Sequence, residues 1–220
     1  MYELPIFPLN TVLFPGMPLH LRVFESRYQL MVRRCLEGNR NFGVALIRQG
    51  VEACGPLAKP YMVGTTARII QIEPLEDGCF NLTALGMDRF RILKLSDDQP
   101  YLVGEIETLP LEKPHNLEIL RGARTLSDWV KNYLILLKRA NDTELLDLSE
   151  LQLPDEPLVL IYLAASLLHI PSHEKQPLLA ADSACHLLQQ VQRLYRRETA
   201  LLEQLLHGTQ SEVDTLAGMN

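Results

Sequence analysis

A few small groups of residues in this 220-residue sequence have the types and spacing for chemistry. His169 and His173 stand four apart, which places two imidazoles on one helix face for a metal ion. Pro171 falls between them, and a proline there ends a helix, so the pair is expected to be split and no metal site is expected. Cys185-His186 would supply a thiol and a base. Adjacent residues on a helix diverge by roughly 100°, so a buried cysteine is the expectation. Asp97-Asp98 reads as a solvated turn. Gly38/Gly43 and Gly50/Gly55 have the separation of a phosphate-cradling loop, which needs a lysine and then a serine or threonine after the second glycine. Val44 and Pro56 stand there, and no glycine in the chain precedes a lysine. Nucleotide chemistry and cofactors are therefore not expected.

Other residues are better suited to holding than to reacting. Pro8, Pro15 and Gly16 shape loops, because proline fixes φ and glycine permits unusual angles. Phe14 and Met17 flank the Pro15-Gly16 turn, and exposed apolar groups beside a rigid turn would grip unfolded segments without sequence preference. Glu25, Arg27 and Arg68 are expected to form an ion-pair set that braces a helix on a sheet, with direct ligand contact as the alternative. Tyr28 begins an apolar helix stripe and is expected to pack inward. Arg89 and Arg91 alternate with Phe90 and Ile92, so both are expected to face solvent. Such basic-aromatic alternation suits RNA, although Glu105 and Glu107 on a nearby strand would neutralise it. An enzymatic pocket would have to rest on Glu25 or His20.

Composition narrows the classes. The chain is 47% hydrophobic and 22% charged, ordinary for a globular protein. Its net charge is −6, so no overall basic field invites nucleic acid or anionic lipid. Residues 1–115 carry a net −1 and residues 116–220 a net −5, which points to two differently built parts. Cys35, Cys54, Cys79 and Cys185 show no paired spacing, and reduced thiols in a cytoplasmic protein are expected. The N-terminus lacks the basic-then-apolar layout of a secretory signal. The most apolar stretch, Leu158 to Ile170, lies between Pro157 and Pro171. It is shorter than the roughly 20 residues that span a bilayer, so a buried helix is expected.

The elements that must position these groups follow from periodicity. The opening, Leu4 to Leu19, reads as two apolar strands broken by prolines, with Leu19 to Val23 alternating apolar and polar. Ser26 to Glu37 is predicted as a helix: Tyr28, Met31, Val32 and Cys35 share one face, and Gly38 stops it. Asn41 to Ile47 reads as a buried strand, and Gln49 to Pro60 as an exposed loop. Gly64 to Glu73 and Cys79 to Leu85 read as strands joined by an Asp77-Gly78 turn. Strands follow over Arg89 to Leu95 and Tyr101 to Thr108. After Pro110 to Pro114 the strand signals stop. Helices are predicted over Leu117 to Ala140, Glu156 to His169, His173 to Leu179 and about Asp182 to His207, with a polar loop around Asn141 to Glu150. Strands first and helices second make an α+β chain with a small barrel or sandwich.

Four segments, in order, resemble the N-terminal domain of Lon proteases, the LON substrate-binding domain. They are Leu4 to Gly16; Val23-Phe24-Glu25-x-Arg27-Tyr28 followed by Phe42-Gly43-Val44; Val63-Gly64-Thr65-x-Ala67-Arg68-Ile69; and Leu82-Thr83-Ala84-Leu85-Gly86-x-x-Arg89-Phe90-Arg91-Ile92. Glu174-Lys175-Gln176-x-Leu178-Leu179, before a long amphipathic segment, is also similar. Ser26 stands where the family often has proline, and Asn10-Thr11 where a charged pair is common.

The resemblance implies a PUA-like β pseudobarrel with one inserted helix, followed by a C-terminal α-helical bundle. The boundaries expected are 1–112 for the β-rich part, 113–207 for the helical part and 208–220 for a flexible tail. It implies a non-catalytic module that binds polypeptide, because the ATPase and Ser-Lys peptidase domains of Lon are not among these residues. Its expected partners are unfolded or exposed polypeptide segments and a separate protease or chaperone, in the cytoplasm and without a membrane. The binding residues it points to are Phe14, Pro15, Gly16, Met17, Phe24, Glu25, Arg27, Tyr28 and Arg68. An RNA-binding module is the alternative.

Overall fold

Hydrophobic alternation and proline punctuation build seven strands before the chain turns helical. The structure, a computed structural model, describes residues 1–75, 78–111, 117–140 and 152–217, with side chains as far as 207. Strands β1 (Tyr2–Leu9) and β2 (Pro18–Val23) precede helix α1 (Ser26–Glu37). Then come β3 (Asn41–Gln49), β4 (Lys59–Pro60), β5 (Val63–Pro74), β6 (Phe80–Ser96) and β7 (Leu102–Thr108). The later helices are α2 (Leu117–Ala140), α3 (Pro157–Leu167), α4 (Ser172–Leu179) and α5 (Ala184–Ala217). The fold class is α+β. Asp77 of the predicted turn, the texture change from residue 112, and the loop around Asn141 to Glu150 lie outside the described residues.

The sheet runs β1-β7-β6-β5-β3-β4, and a parallel pairing of β1 with β3 closes it into a barrel. Strand β2 stands off this path and pairs with β6, Leu19 opposite Ala84 and Val23 opposite Phe80. Strand β1 pairs with β7 only through Ile6, whereas its pairing with β3 continues to Leu9. Both faces of β1 and β3 are covered. Phe7, Leu9, Phe42 and Val44 join the larger core with α1, while Leu4, Ile6 and Ala45 join a second cluster around Phe90 and Ile106. That is why Asn41 to Ile47 reads as a continuous apolar run rather than an alternation.

Helix α1 covers the larger core with Tyr28, Met31, Val32 and Cys35, the stripe its spacing predicts. Gly38 donates its amide to the Cys35 carbonyl, and Arg40, at φ 62°, turns the chain into β3. Burial pushes the Cys35 thiol up to about 11.

The chain divides into two compact units, 1–112 with 165–183, and 113–164 with 184–220. Within the first, residues of α4 are tied to the barrel. Gln176 donates to the Val63 carbonyl at 2.9 Å, and Arg89 Nη1 donates to the carbonyls of Leu179 at 2.7 Å and Ala181 at 2.8 Å. Arg89 is therefore buried, not solvent-facing as its alternation predicts. The pairing of β6 with β5 slips between Thr65 and Ala67, opposite Arg89 and Gly86. That irregularity breaks the two-residue period, so Arg89 and Phe90 are both covered. Arg91 keeps the outward side and faces Glu107 at 3.5 Å.

Within the second unit, α2 and α5 pack through Tyr133 and Tyr195, whose rings meet edge to face at 5.2 Å. The Tyr195 hydroxyl donates to the Ala164 carbonyl at 2.9 Å, and Gly122 leaves the space that Leu188 fills. Helix α5 continues to Ala217, beyond the His207 end that the pattern predicts. No described helix is long and apolar enough to cross a membrane.

Candidate functional site

The hand-over from β2 to α1 builds the site. Val23 closes the strand in the core, and the next residue, Phe24, is left 50% exposed. Glu25 takes the extended backbone of an N-cap, φ −75° and ψ 133°, and its carbonyl accepts the amides of Tyr28 and Gln29. Its carboxylate makes no cap and turns instead to Arg27 at 2.8 Å. Arg27 in turn donates to the Gly55 carbonyl at 3.0 Å and lies 4.8 Å from the Tyr28 ring centre. One guanidinium thus ties the helix start to the 50–58 loop while shielding a tyrosine face. The other face of Tyr28 stacks on Phe7 at 4.1 Å. Burial pushes the Tyr28 hydroxyl up, Arg27 opposes this, and Glu25 and Glu52 add to it.

These residues edge a groove of about 250 Å³. Phe7 and Leu9 of β1, Leu21 and Val23 of β2, and Phe24 and Tyr28 supply its apolar lining. Arg22, Glu25 and Glu52 are its charged lining residues, and the Glu52 carboxylate is held by the Asn10 amide at 3.0 Å. The volume is below the roughly 300–1,000 Å³ typical of small-molecule and cofactor pockets. It suits one or two side chains of a larger ligand.

Of the residues predicted from sequence, Phe24, Glu25, Arg27 and Tyr28 come together here. Phe14, Pro15, Gly16 and Met17 form a separate turn. Met17 donates its amide to the Phe14 carbonyl at 3.1 Å, and Gly16 sits at φ +79°. Proline followed by glycine in that register makes a type II turn. The turn is tied to β6 by Gly16 N–H to Gly86 O and Gly86 N–H to Met17 O. Phe14 is fully buried, so it forms no exposed lip. The tight tie to β6 draws its side chain inward. Met17 is half-buried and its sulfur accepts from the Ser166 hydroxyl at 3.3 Å. Lys175 donates to the Ser166 carbonyl at 2.8 Å, and burial holds its ammonium below the usual lysine range. The exposed apolar residue beside this turn is Met87.

Arg68 is exposed on β5 opposite Asn41, and no ion pair joins it to Glu25 among the described residues. The expected three-membered set is a two-membered one, because Arg68 points to the solvent side of the sheet while Glu25 and Arg27 stand at the helix start. His169 is exposed beyond the end of α3, and Pro171 caps α4, so His169 and His173 share no helix. Among the described residues no three potential metal ligands gather. Cys185 is only partly covered. Phe7, Leu21 and Glu52 are site residues that sequence reasoning missed. Their signal is weak, because they meet only when β1, β2 and the 50–58 loop converge.

The family model described as the ATP-dependent protease La (LON) substrate-binding domain matches residues 3–197. A Lon protease of Anaeromyxobacter dehalogenans is 33% identical over 107 residues, 48% of this chain and 13% of that protein. Lon protease 2 of Myxococcus xanthus is 26% identical over 204 residues, 91% of this chain and 24% of that protein. The chain thus spans a quarter or less of the length of these two proteases. The crystal structure of a Lon N-terminal domain protein from Xanthomonas campestris superimposes with a TM-score of 0.60 at 29% identity, covering 94% of this chain and 98% of that one. The N-terminal domain of a Mycobacterium avium complex Lon protease has a TM-score of 0.63 at 17% identity, covering 89% and 98%, and shares the fold. The chain belongs to the LON substrate-binding domain family.

Proposed function

We propose that this member of the family holds polypeptide without cutting it, as a recognition or adaptor module for a separate protease or chaperone in the cytoplasm. The observation that carries this reading is Phe24, half exposed at the mouth of an apolar groove whose walls are fixed by Arg27 and Glu52. A rigid apolar groove with few polar groups binds side chains by burial and leaves sequence choice loose. Phe24, Glu25, Arg27 and Tyr28 form the primary contact in this proposal. Pro15, Gly16 and Met17, beside exposed Met87, give a second one, buried Phe14 supports their turn, and Arg68 supplies an exposed cation.

The alternation that favoured RNA is not presented as a surface, since Arg89 is buried and Arg91 faces Glu107. The test is capture of a chemically unfolded protein by the full chain, against the same protein folded. Binding of the unfolded form alone is expected, weakened about tenfold by Phe24→Asp. Equal capture of both forms, or no loss with Phe24→Asp, contradicts the reading.

A further inference from the structure

Two strand edges border the groove, and among the described residues each has a strand neighbour on one side only. Strand β2 pairs with β6, and among the described residues no other strand lies against it. Strand β1 loses β7 after Ile6, so among the described residues its last part pairs with β3 alone. Phe7 and Leu9 from this part of β1, and Leu21 and Val23 from β2, line the same groove. An open strand edge is a row of amide and carbonyl groups that a further strand satisfies.

We propose that the occupant is an extended polypeptide segment that adds to β2 as an extra strand. It hydrogen-bonds along the open edge and drops an apolar side chain between Phe24 and Tyr28. This rests on the polypeptide-binding reading and specifies how that binding is made. Three features select this occupant. Main-chain pairing along an edge demands a backbone, which an isolated small molecule lacks. The groove's volume of about 250 Å³ admits side chains, not a folded element. The charged residues of the lining are Arg22, Glu25 and Glu52, and Glu25 is already matched by Arg27. Arg22, the cation of the lining, has a partner of its own, whereas Glu52 accepts the uncharged amide of Asn10 and meets no cation among the described residues, so charge complementarity favours a lysine or arginine beside the inserted apolar residue.

Strand addition makes a demand that apolar contact alone does not. Successive residues of an added strand face alternate directions, so every second backbone amide donates to β2 and the others point away. The experiment uses the full chain and a labelled nine-residue peptide with a central leucine and one flanking lysine. Two versions carry N-methyl groups on alternate residues, one on the odd and one on the even positions. One N-methylated set is expected to lose at least tenfold in affinity, while the other stays within about threefold of the parent. Replacing the flanking lysine by glutamate is expected to weaken binding a further several-fold, and Glu52→Gln to remove that preference.

If both N-methylated peptides bind as the parent does, the strand geometry is overturned while polypeptide binding stands. If the parent peptide and unfolded protein both fail to bind, the functional reading falls with it. A concentration-dependent dimer broken by Phe24→Asp, with no peptide binding, would assign the edge to a second copy of the chain and overturn the proposal.

Discussion

The ring of Tyr28 lies stacked on that of Phe7, with centroids 4.1 Å apart and planes 18° from parallel. Phe7 comes from β1 and Tyr28 from α1, so this contact joins the helix to the barrel beneath the groove. Tyr28 is only 3% exposed. Tyr28→Ala is expected to cost about 3–5 kcal/mol, the usual loss for a buried aromatic. Tyr28→Phe keeps the stack and should cost below about 1 kcal/mol. Urea unfolding of both variants checks this, and equal losses would contradict it.

Arg89 donates from one nitrogen to two main-chain carbonyls at the end of α4. Removing a buried charged donor leaves those carbonyls without it, and hydrogen bonds to charged groups contribute about 1.5–3 kcal/mol. Arg89→Met is expected to destabilise the chain by at least that much. It should also raise amide exchange over residues 172–181 more than elsewhere in the barrel unit. Uniform exchange changes across that unit would contradict the local role.

Two glycines around the Pro15 turn should fail differently. A Cβ on Gly86 would lie 2.5 Å from the Phe14 carbonyl oxygen, so Gly86→Ala must displace the turn or the strand. Gly16 has open space around its Cβ position but a φ of +79°. Gly16→Ala is then a backbone penalty of about 1–2 kcal/mol, without steric clash. Thermal unfolding should rank Gly86→Ala as the worse substitution; the reverse order would contradict the packing.

Alkaline pH should destabilise the barrel unit. The Cys35 thiol, ordinarily at 9.0, is pushed up to about 11 by burial, so the unfolded chain ionises first. Its contribution is fully present below about pH 9 and is lost as pH rises toward 11, with a slope of at most about 1.4 kcal/mol per pH unit. Tyr28, also raised, acts in the same sense at higher pH. Lys175, lowered by burial, acts in the opposite sense. Cys35→Ala should flatten the fall in stability between pH 9 and 11. An unchanged slope would show that this thiol does not carry it.

How much of this was legible follows from range. Helix α1 was legible from end to end, because Tyr28, Met31, Val32, Cys35 and Gly38 are local signals. The strands over Asn41 to Ile47 and Tyr101 to Thr108 were legible for the same reason. Arg89 was not, because its side was read by assuming an uninterrupted two-residue period, and β6 departs from it. Burial of Phe14 was missed because a Pro-Gly turn reads as exposed unless its tie to Gly86 is known. The groove was half legible. Phe24, Glu25, Arg27 and Tyr28 are consecutive or nearly so, whereas Glu52 and Leu21 join them only through the closing of the barrel and the Asn10 amide.

Polypeptide binding at the β2–α1 groove requires that an unfolded chain touch those residues. The direct measurement is the amide spectrum of the isotope-labelled full chain during titration with a permanently unfolded protein. Shifts concentrated at Leu21 to Tyr28 and at Glu52 and Ala53 are the predicted result. A spectrum that does not move, or that moves only over α2 and α5, would contradict it.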